Sequence, residues 1–115
     1  MNFALTISRI LTKLHTVRER DRKLVERRKA RALREQGRLA CATCGFDFQK
    51  AYGERGRGFI ECHHTRPVET LAVEGQKVSE ADLELLCSNC HSMIHAARPW
   101  LSLGELKALI ADEAT

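Results

Sequence analysis

Two pairs of cysteines constrain the fold of this chain more than any other feature. Cys41 and Cys44 form one C-x2-C pair, and Cys87 and Cys90 form another after an interval of 42 residues. This spacing lets both sulfurs of a pair reach one tetrahedral ion, and four thiolates make a closed, structural zinc site. Such an ion would tie the start of a domain to its last third, so its binding energy would be folding energy. A redox C-x2-C motif is the alternative, but two pairs in so short a chain favour the metal.

The fifth cysteine, the chain length and the composition lead to further expectations. Cys62 is left over, and we expect it to be a buried or half-buried residue with no ligand role. A chain of 115 residues with 5% aromatic content fits one compact domain with a modest core, which a metal would help to stabilise. Metal-spaced thiols suit a reducing compartment, and no apolar run is long enough for a bilayer. We therefore expect a cytoplasmic protein with no membrane partner.

The charge is distributed unevenly along the chain. The net charge is +4, but residues 1–40 contain twelve Lys/Arg against four Asp/Glu, and residues 41–115 contain seven against eleven. A basic arm joined to a mildly acidic, metal-rich body suggests a polyanionic partner. A solvated helix face with no specific role is the alternative, and charge patterning alone does not decide between the two.

The arm is predicted to be helical. Residues 3–17 have apolar side chains at helical spacing, which predicts an amphipathic helix. Residues 18–36 are rich in arginine and predict a second helix or a continuation of the first, with Gly37 as its C-cap. We therefore divide the chain into a basic helical N-terminal arm at 1–37 and a metal-bearing domain at 38–115. The role of residues 3–17 is left open between packing, a dimer contact and an arm ordered by a partner.

The domain itself is predicted to mix strands and helices. Residues 58–63 have strand character, and residues 65–69 are predicted to return as the hairpin partner. A helix is expected to begin near Cys90 and to end before Pro99. Ser102 and Glu105 form a capping box that predicts the start of a last, short helix.

Four of the five histidines form two clusters, His63-His64 and His91-x3-His95. Positions four apart on a helix share a face, so His91 and His95 can bind one ion, and His63 would complete a site with open coordination positions. The neighbouring His64 would then remain free to act as a general base. A second closed zinc site, or simple surface hydrogen bonding, is the structural alternative.

These motifs together resemble a known family. The residues that carry the likeness are Glu61-Cys62-His63-His64-x-x-Pro67, then Asp82-Leu83-x-Leu85-Leu86-Cys87-x-x-Cys90-His91-x3-His95. In this order they resemble the HNH, or ββα-metal (His-Me finger), endonucleases. With Cys41-x-x-Cys44 before them, they are similar to the zinc-containing branch, including domains of the modified-cytosine type of restriction endonuclease.

The resemblance implies an α+β fold and a chemistry. The fold would be a small ββα-metal core with a four-cysteine zinc site, preceded by the basic arm and followed by a short helix. His63, His91 and His95 would hold a catalytic divalent ion (Mg²⁺, Mn²⁺, Ni²⁺ or Zn²⁺), and His64 would activate water to hydrolyse phosphodiester bonds in DNA, which is generally duplex. Glu61 would orient the metal site. Asp82 stands where many members have asparagine, and it would pin the loop between the strands.

Contacts to nucleic acid are expected from two places. Basic residues of the arm would bind phosphates without sequence preference, namely Arg27, Arg28, Lys29, Arg31 and Arg34. Ala96 occupies the position after the last histidine where the family often has arginine, so Arg66 or Arg98 would substitute. A homodimer would suit double-strand cutting. The competing hypothesis is a zinc-dependent module that binds nucleic acid without cutting it.

Overall fold

The computed structural model describes residues 3–66 and 79–114, and it has an α+β architecture. The regular elements are α1 (Phe3–Gln36), α2 (Phe48–Tyr52), β1 (Glu61–His64), β2 (Leu83–Leu86), α3 (Ser88–His95) and α4 (Leu103–Ala114). Short 3-10 turns lie at Gly53–Gly56 and Glu80–Asp82. The two strands and α3 form a ββα unit, which confirms the predicted fold class.

The hairpin pairs different residues from those predicted. β1 is antiparallel to β2, with His63 opposite Glu84 and His64 opposite Leu83. The predicted partner at 65–69 is wrong in its described part, because Thr65 lies in a bend and donates its backbone N–H to the Asp82 carbonyl (2.8 Å). Residues 67–69 lie outside the described part. The strand that pairs with β1 is therefore β2, which comes from a later segment of the chain than the one predicted.

The N-terminal segment is one continuous helix rather than two. α1 runs for 34 residues, which corresponds to a length of about 51 Å at 1.5 Å per residue. Neither glycine nor proline interrupts it. It ends where predicted, since Gly37 has a φ of 75° and donates its N–H to the Leu33 carbonyl (3.0 Å). A left-handed residue of this kind is a common helix terminator.

The second half of α1 belongs to the core of the domain. Its contact with the hairpin contains the buried residues Ala32, Leu39, Ile60 and Leu85. Arg28 is also buried, and its Nε donates a hydrogen bond to the Leu83 carbonyl (2.9 Å) while its Nη2 lies 3.5 Å from the Glu84 carboxylate. Those two residues are the pairing partners of His64 and His63. The Arg28 side chain therefore connects α1 to the part of β2 that lies opposite both histidines.

Two neighbouring basic residues of α1 also bind the domain. The Lys29 ammonium donates to the Gly58 carbonyl (2.8 Å), and the Arg31 guanidinium lies 3.1 Å from the Glu80 carboxylate. The arm and the domain thus share an interface along this half of the helix. The division at 37/38 remains a prediction about chain organisation.

A second core lies beside the cysteine pairs. Its most completely buried side chains are Leu86, Ile94 and Leu106, contributed by β2, α3 and α4 in turn. α4 begins with the predicted capping box, in which Ser102 N–H donates to Glu105 (2.9 Å) and Glu105 N–H donates to the Ser102 hydroxyl (3.1 Å). The cap fixes the start of α4, so Leu106 faces α3.

Within residues 3–66 and 79–114, no helix combines the length and the apolar character that a bilayer-spanning helix requires.

The buried Arg28 should contribute measurably to stability. Arg28→Met would remove a hydrogen bond from a charged donor and leave the Leu83 carbonyl unpaired, so we expect the free energy of unfolding to fall by about 2 kcal/mol. Arg27→Met is the matched control, because Arg27 is exposed on the same helix, and it should change stability by less than about 0.5 kcal/mol. Urea unfolding of both zinc-loaded variants measures the difference. Equal losses of unfolding free energy in the two variants would contradict the stabilising role of Arg28.

Candidate active site

The four paired cysteines form one cluster. The sulfurs of Cys41, Cys44, Cys87 and Cys90 all lie within 4.8 Å of one another. The Cys44 and Cys87 sulfurs are 3.6 Å apart, and four sulfurs at about 2.3 Å from a tetrahedral zinc would be separated by about 3.8 Å. The donor set and its spacing therefore fit a closed, four-thiolate zinc site.

Local backbone structure presents these thiols. In the first pair, Gly45 has a φ of 80° and donates its N–H to the Cys41 carbonyl (2.9 Å), which closes a tight turn. In the second pair, Cys87 is the N-cap of α3, and its sulfur accepts the Cys90 N–H at 3.4 Å. The cysteine cluster and the first turn of α3 are thus one structural unit.

The cluster is electrostatically suited to a cation. Burial raises the pKa of the Cys90 thiol to about 12 and also raises the pKa of Cys44. Burial opposes ionisation of Cys41 as well, but hydrogen bonds from Thr43 and from backbone N–H groups outweigh it and lower the pKa of Cys41 to about 6. Four ionised thiolates at this spacing therefore require a positive ion among them.

Three imidazoles form a second donor group. His63 comes from β1, and His91 and His95 come from successive turns of α3, with ring nitrogens that all lie within 4.8 Å of one another. Their ring centroids are 5.0 to 5.3 Å apart. His63 is buried, His91 is half-buried and His95 is exposed. The group is therefore open on one side, as a catalytic metal requires and a structural metal does not.

A carboxylate orients one of these rings. The Nδ1 atom of His91 lies 2.8 Å from Oε1 of Glu61. If Nδ1 carries the proton, the hydrogen bond leaves Nε2 as the free ligand atom, which is the usual arrangement around a metal-binding histidine. A hydrogen bond from Ser88 and then the one from His91 lower the pKa of the Glu61 carboxyl. Glu61 is therefore an ionised hydrogen-bond acceptor at neutral pH.

Two of the three clustered imidazoles, those of His63 and His95, have lowered pKa values. Burial lowers the pKa of His63 to about 4, with smaller effects in the same direction from its three histidine neighbours. Burial and the proximity of His91 also lower the pKa of His95. At neutral pH the His63 ring is therefore uncharged and offers a lone pair, which is the form that binds metal ions.

His64 lies at the end of β1 and lines the same cavity as the three clustered rings. This cavity has a volume of about 520 Å³, and its wall is formed by Cys62, His63, His64, Thr65, His91, His95, Trp100, Leu101, Ser102 and Glu105. β1 ends at His64, so the pair His63-His64 occupies the end of the strand. His64 is half-buried and lies outside the three-histidine donor group. It therefore borders the open side of that group.

Asp82 connects the two ends of the hairpin. Its carboxylate accepts hydrogen bonds from the Ser79 N–H (2.9 Å), the Ser79 hydroxyl (3.2 Å) and Nε of Arg66 (3.2 Å). The backbone N–H of Ser79, then the contact with Arg66, lower the pKa of Asp82. Asp82 therefore links Arg66, which follows β1, to Ser79, which precedes β2.

The residues expected to contact phosphate fall into two groups. Arg28, Lys29, Arg31 and Arg66 bind groups of the protein itself, as described above. Arg27, Arg34 and Arg98 have exposed side chains. Because they are exposed, these three arginines are the more accessible candidates for contact with nucleic acid.

Two features of this region were not predicted from the sequence. The Trp100 ring packs edge-on against His95, with centroids 4.4 Å apart, so it forms part of the cavity wall. Its position five residues after His95, as the single tryptophan of the chain, was the available signal. Cys62 also lines the cavity, although it is half-buried and outside both donor groups among the described residues, as expected.

A β-hairpin followed by a helix, with one histidine from the first strand and two from the helix grouped around one point, defines the ββα-metal class. Comparison with known families agrees, because the sequence model of the HNH endonuclease family matches residues 41–97. This range begins at the first cysteine and ends just after His95. Residues 41–97 therefore belong to the HNH endonuclease family. Neither the curated proteins nor the solved structures contain a significant match to the chain.

The cysteine cluster should be essential for folding. Cys87→Ser would remove one of the four thiolates, while the serine hydroxyl could still cap α3, so we expect the variant to lose its zinc and its cooperative thermal transition. Cys62→Ser is the matched control, because Cys62 lies outside the cluster, and it should retain both. Zinc content and circular dichroism during heating measure the two properties. A folded, zinc-free Cys87→Ser protein would contradict the structural role of the cluster.

The Glu61–His91 hydrogen bond should control metal affinity at the histidine group. Glu61→Ala would release the His91 ring, and loss of such a partner commonly weakens metal binding by about 10- to 100-fold. Glu54→Ala is the control, because Glu54 is exposed and pairs with Arg57. Isothermal titration of each zinc-loaded variant with Ni²⁺ measures the effect. Unchanged affinity in Glu61→Ala would show that the hydrogen bond does not orient a ligand.

Proposed function

We propose that this chain is a metal-dependent endonuclease that hydrolyses phosphodiester bonds in DNA. The observation that carries the proposal is the grouping of His63, His91 and His95 at one wall of an open cavity that His64 also lines. The family match supports the nuclease class. A reducing compartment such as the cytoplasm would keep the five thiols unoxidised.

The histidine group fits a catalytic divalent ion. His63, His91 and His95 would hold it, and the open side would leave room for a phosphate oxygen and water. When bound, the ion would stabilise the extra negative charge on the reacting phosphate and on the departing oxygen. Imidazole-rich sites accept several ions, so Mg²⁺, Mn²⁺, Ni²⁺ and Zn²⁺ are all candidates, and availability decides among them.

The chain itself would supply the proton transfer and the orientation. His64 would accept the proton of the attacking water at an imidazole nitrogen, since it borders the cavity outside the donor group. Glu61 would hold the His91 ring with Nε2 toward the cavity. Asp82, through Arg66 and Ser79, would keep the end of β1 in place so that His64 remains beside its neighbours.

Phosphate contacts outside the cavity would come from exposed arginines. Arg27 and Arg34 on α1 and Arg98 after α3 would add affinity without sequence preference, and that affinity would fall steeply with salt. We propose duplex DNA as the general substrate, and a homodimer would bring two sites to opposite strands. The other basic residues predicted to bind phosphate would act by holding α1 and the hairpin together.

Removal of the proposed general base should abolish cutting without disturbing the fold. We expect His64→Ala to nick supercoiled plasmid about 10²- to 10⁴-fold more slowly than wild type, with zinc content and thermal stability unchanged. His15→Ala is the matched control, because His15 belongs to α1 and not to β1 or α3, which carry the clustered histidines. The assay follows conversion of supercoiled to open-circular DNA with Mg²⁺ or Mn²⁺ added to zinc-loaded protein.

The same assay separates nuclease from binding module. A wild-type protein that binds DNA, holds zinc tightly at both donor groups and never cleaves with any of the four ions would support the non-catalytic alternative. Equal nicking by wild type and His64→Ala would retain the nuclease but remove His64 from its mechanism.

A further inference from the structure

Trp100 is an unusual residue to find in the wall of a metal-binding cavity. Its side chain is 47% exposed although it is a large apolar ring. Burial of such a ring is normally favourable, so the exposed part is a surface available to a ligand. Because the other part packs on His95, the ring is held in place beside the histidine group.

The other described aromatic rings behave differently. Phe46, Phe48, Tyr52 and Phe59 contact one another near the first cysteine pair, with centroid separations of 4.7 to 6.3 Å. They form a structural cluster away from the cavity. Trp100 instead has an imidazole and the Arg98 guanidinium as ring neighbours, with the guanidinium carbon 5.8 Å from its centroid. Its surroundings are those of a polar binding site.

We propose that Trp100 is a stacking platform for one nucleobase beside the scissile phosphate, and that the preferred substrate is nucleic acid in which this base is unpaired. The inference rests on the proposed nuclease function. It adds a binding residue and a substrate class to that function.

The distances support a base at this position. The Trp100 centroid lies 4.4 Å from that of His95, so the indole directly borders the histidine group. A nucleotide whose phosphate is held at that group would have a base of the same strand within reach of the indole. Every base has a flat π-face, so stacking on an aromatic side chain provides affinity with little sequence preference.

Stacking on Trp100 requires a base whose face is accessible. In a continuous duplex each base face is covered by its neighbours, and displacing a base costs energy that is least at mismatched or already single-stranded positions. The cavity should therefore favour single strands, gaps, mismatches or strand ends over uninterrupted duplex. Duplex DNA remains a substrate to the extent that a base is displaced.

The charges around the ring agree with this assignment. Arg98 places a positive charge beside Trp100, where a phosphate of the same strand would lie. Glu105 also lines the cavity, but it is engaged by the N–H of Ser102 in the cap of α4. The hydrogen bonds with Ser102 hold Glu105 at the helix cap and lower the pKa of its carboxyl.

The single tryptophan allows a direct spectroscopic test. Zinc-loaded His64→Ala protein, chosen so that the probe is not cut, is titrated with a short single-stranded deoxythymidine oligonucleotide and with a fully abasic analogue of the same length. Anisotropy of fluorescein-labelled copies measures binding, and indole emission is followed with unlabelled copies. We expect the base-bearing strand to quench emission at saturation and the abasic strand to leave it nearly unchanged.

Variants and duplex probes add independent readouts. Trp100→Leu should bind the base-bearing strand about 5- to 150-fold more weakly, the range that loss of one stacked base implies. Trp100→Phe, which keeps a flat ring, should retain most of the affinity, and neither variant should change binding of the abasic strand. A duplex with one central mismatch should quench more than the fully paired duplex.

The outcomes separate this inference from the proposed function. Binding of both strands with equal quenching, or with none, overturns the stacking role and leaves the nuclease proposal intact. Base-dependent quenching in a protein whose wild-type form never cleaves supports the stacking role and rejects the nuclease. Failure to bind any oligonucleotide overturns both.

Discussion

The four-cysteine cluster is the constraint on which the rest of the structure depends. It joins residues 41–44 to the first turn of α3, with Cys87 as the helix cap. Because the helix starts from this fixed point, the positions of His91 and His95 on it are fixed as well. A small domain with two modest cores has little other means of holding a helix in register. The position of the cysteine cluster therefore determines where the candidate catalytic site can form.

The two donor groups differ in the properties that separate structural from catalytic metals. One has four sulfurs, three of them on buried cysteines and the fourth on the exposed Cys44; the other has three imidazoles, one of them exposed, beside a cavity. Thiolates favour zinc, while imidazoles accept a wider range of ions. Hydrogen bonding adds a further distinction, because Glu61 orients one imidazole in the manner typical of metal ligands. Their proximity lets one domain hold both kinds of ion.

Much of the site was predictable because its chemistry depends on local spacing. The C-x2-C pairs and the His91-x3-His95 spacing each determine which side chains share a turn or a helix face. The pairing of β1 with β2 was not predictable from spacing, because it joins segments about twenty residues apart across a bend. The burial of Arg28 was missed for a related reason: arginine is usually exposed, and its partner, a backbone carbonyl, has no sequence signature.

The central claim is that the chain holds a second, open metal site made only of imidazoles. Titration of the zinc-loaded protein with Co²⁺, followed by absorption spectroscopy, tests it most directly. The account predicts one Co²⁺ per chain with ligand-field bands but no thiolate charge-transfer band, no release of zinc, and loss of the bands in His91→Ala. Co²⁺ that fails to bind, or that binds only by displacing zinc with thiolate bands, would contradict the account.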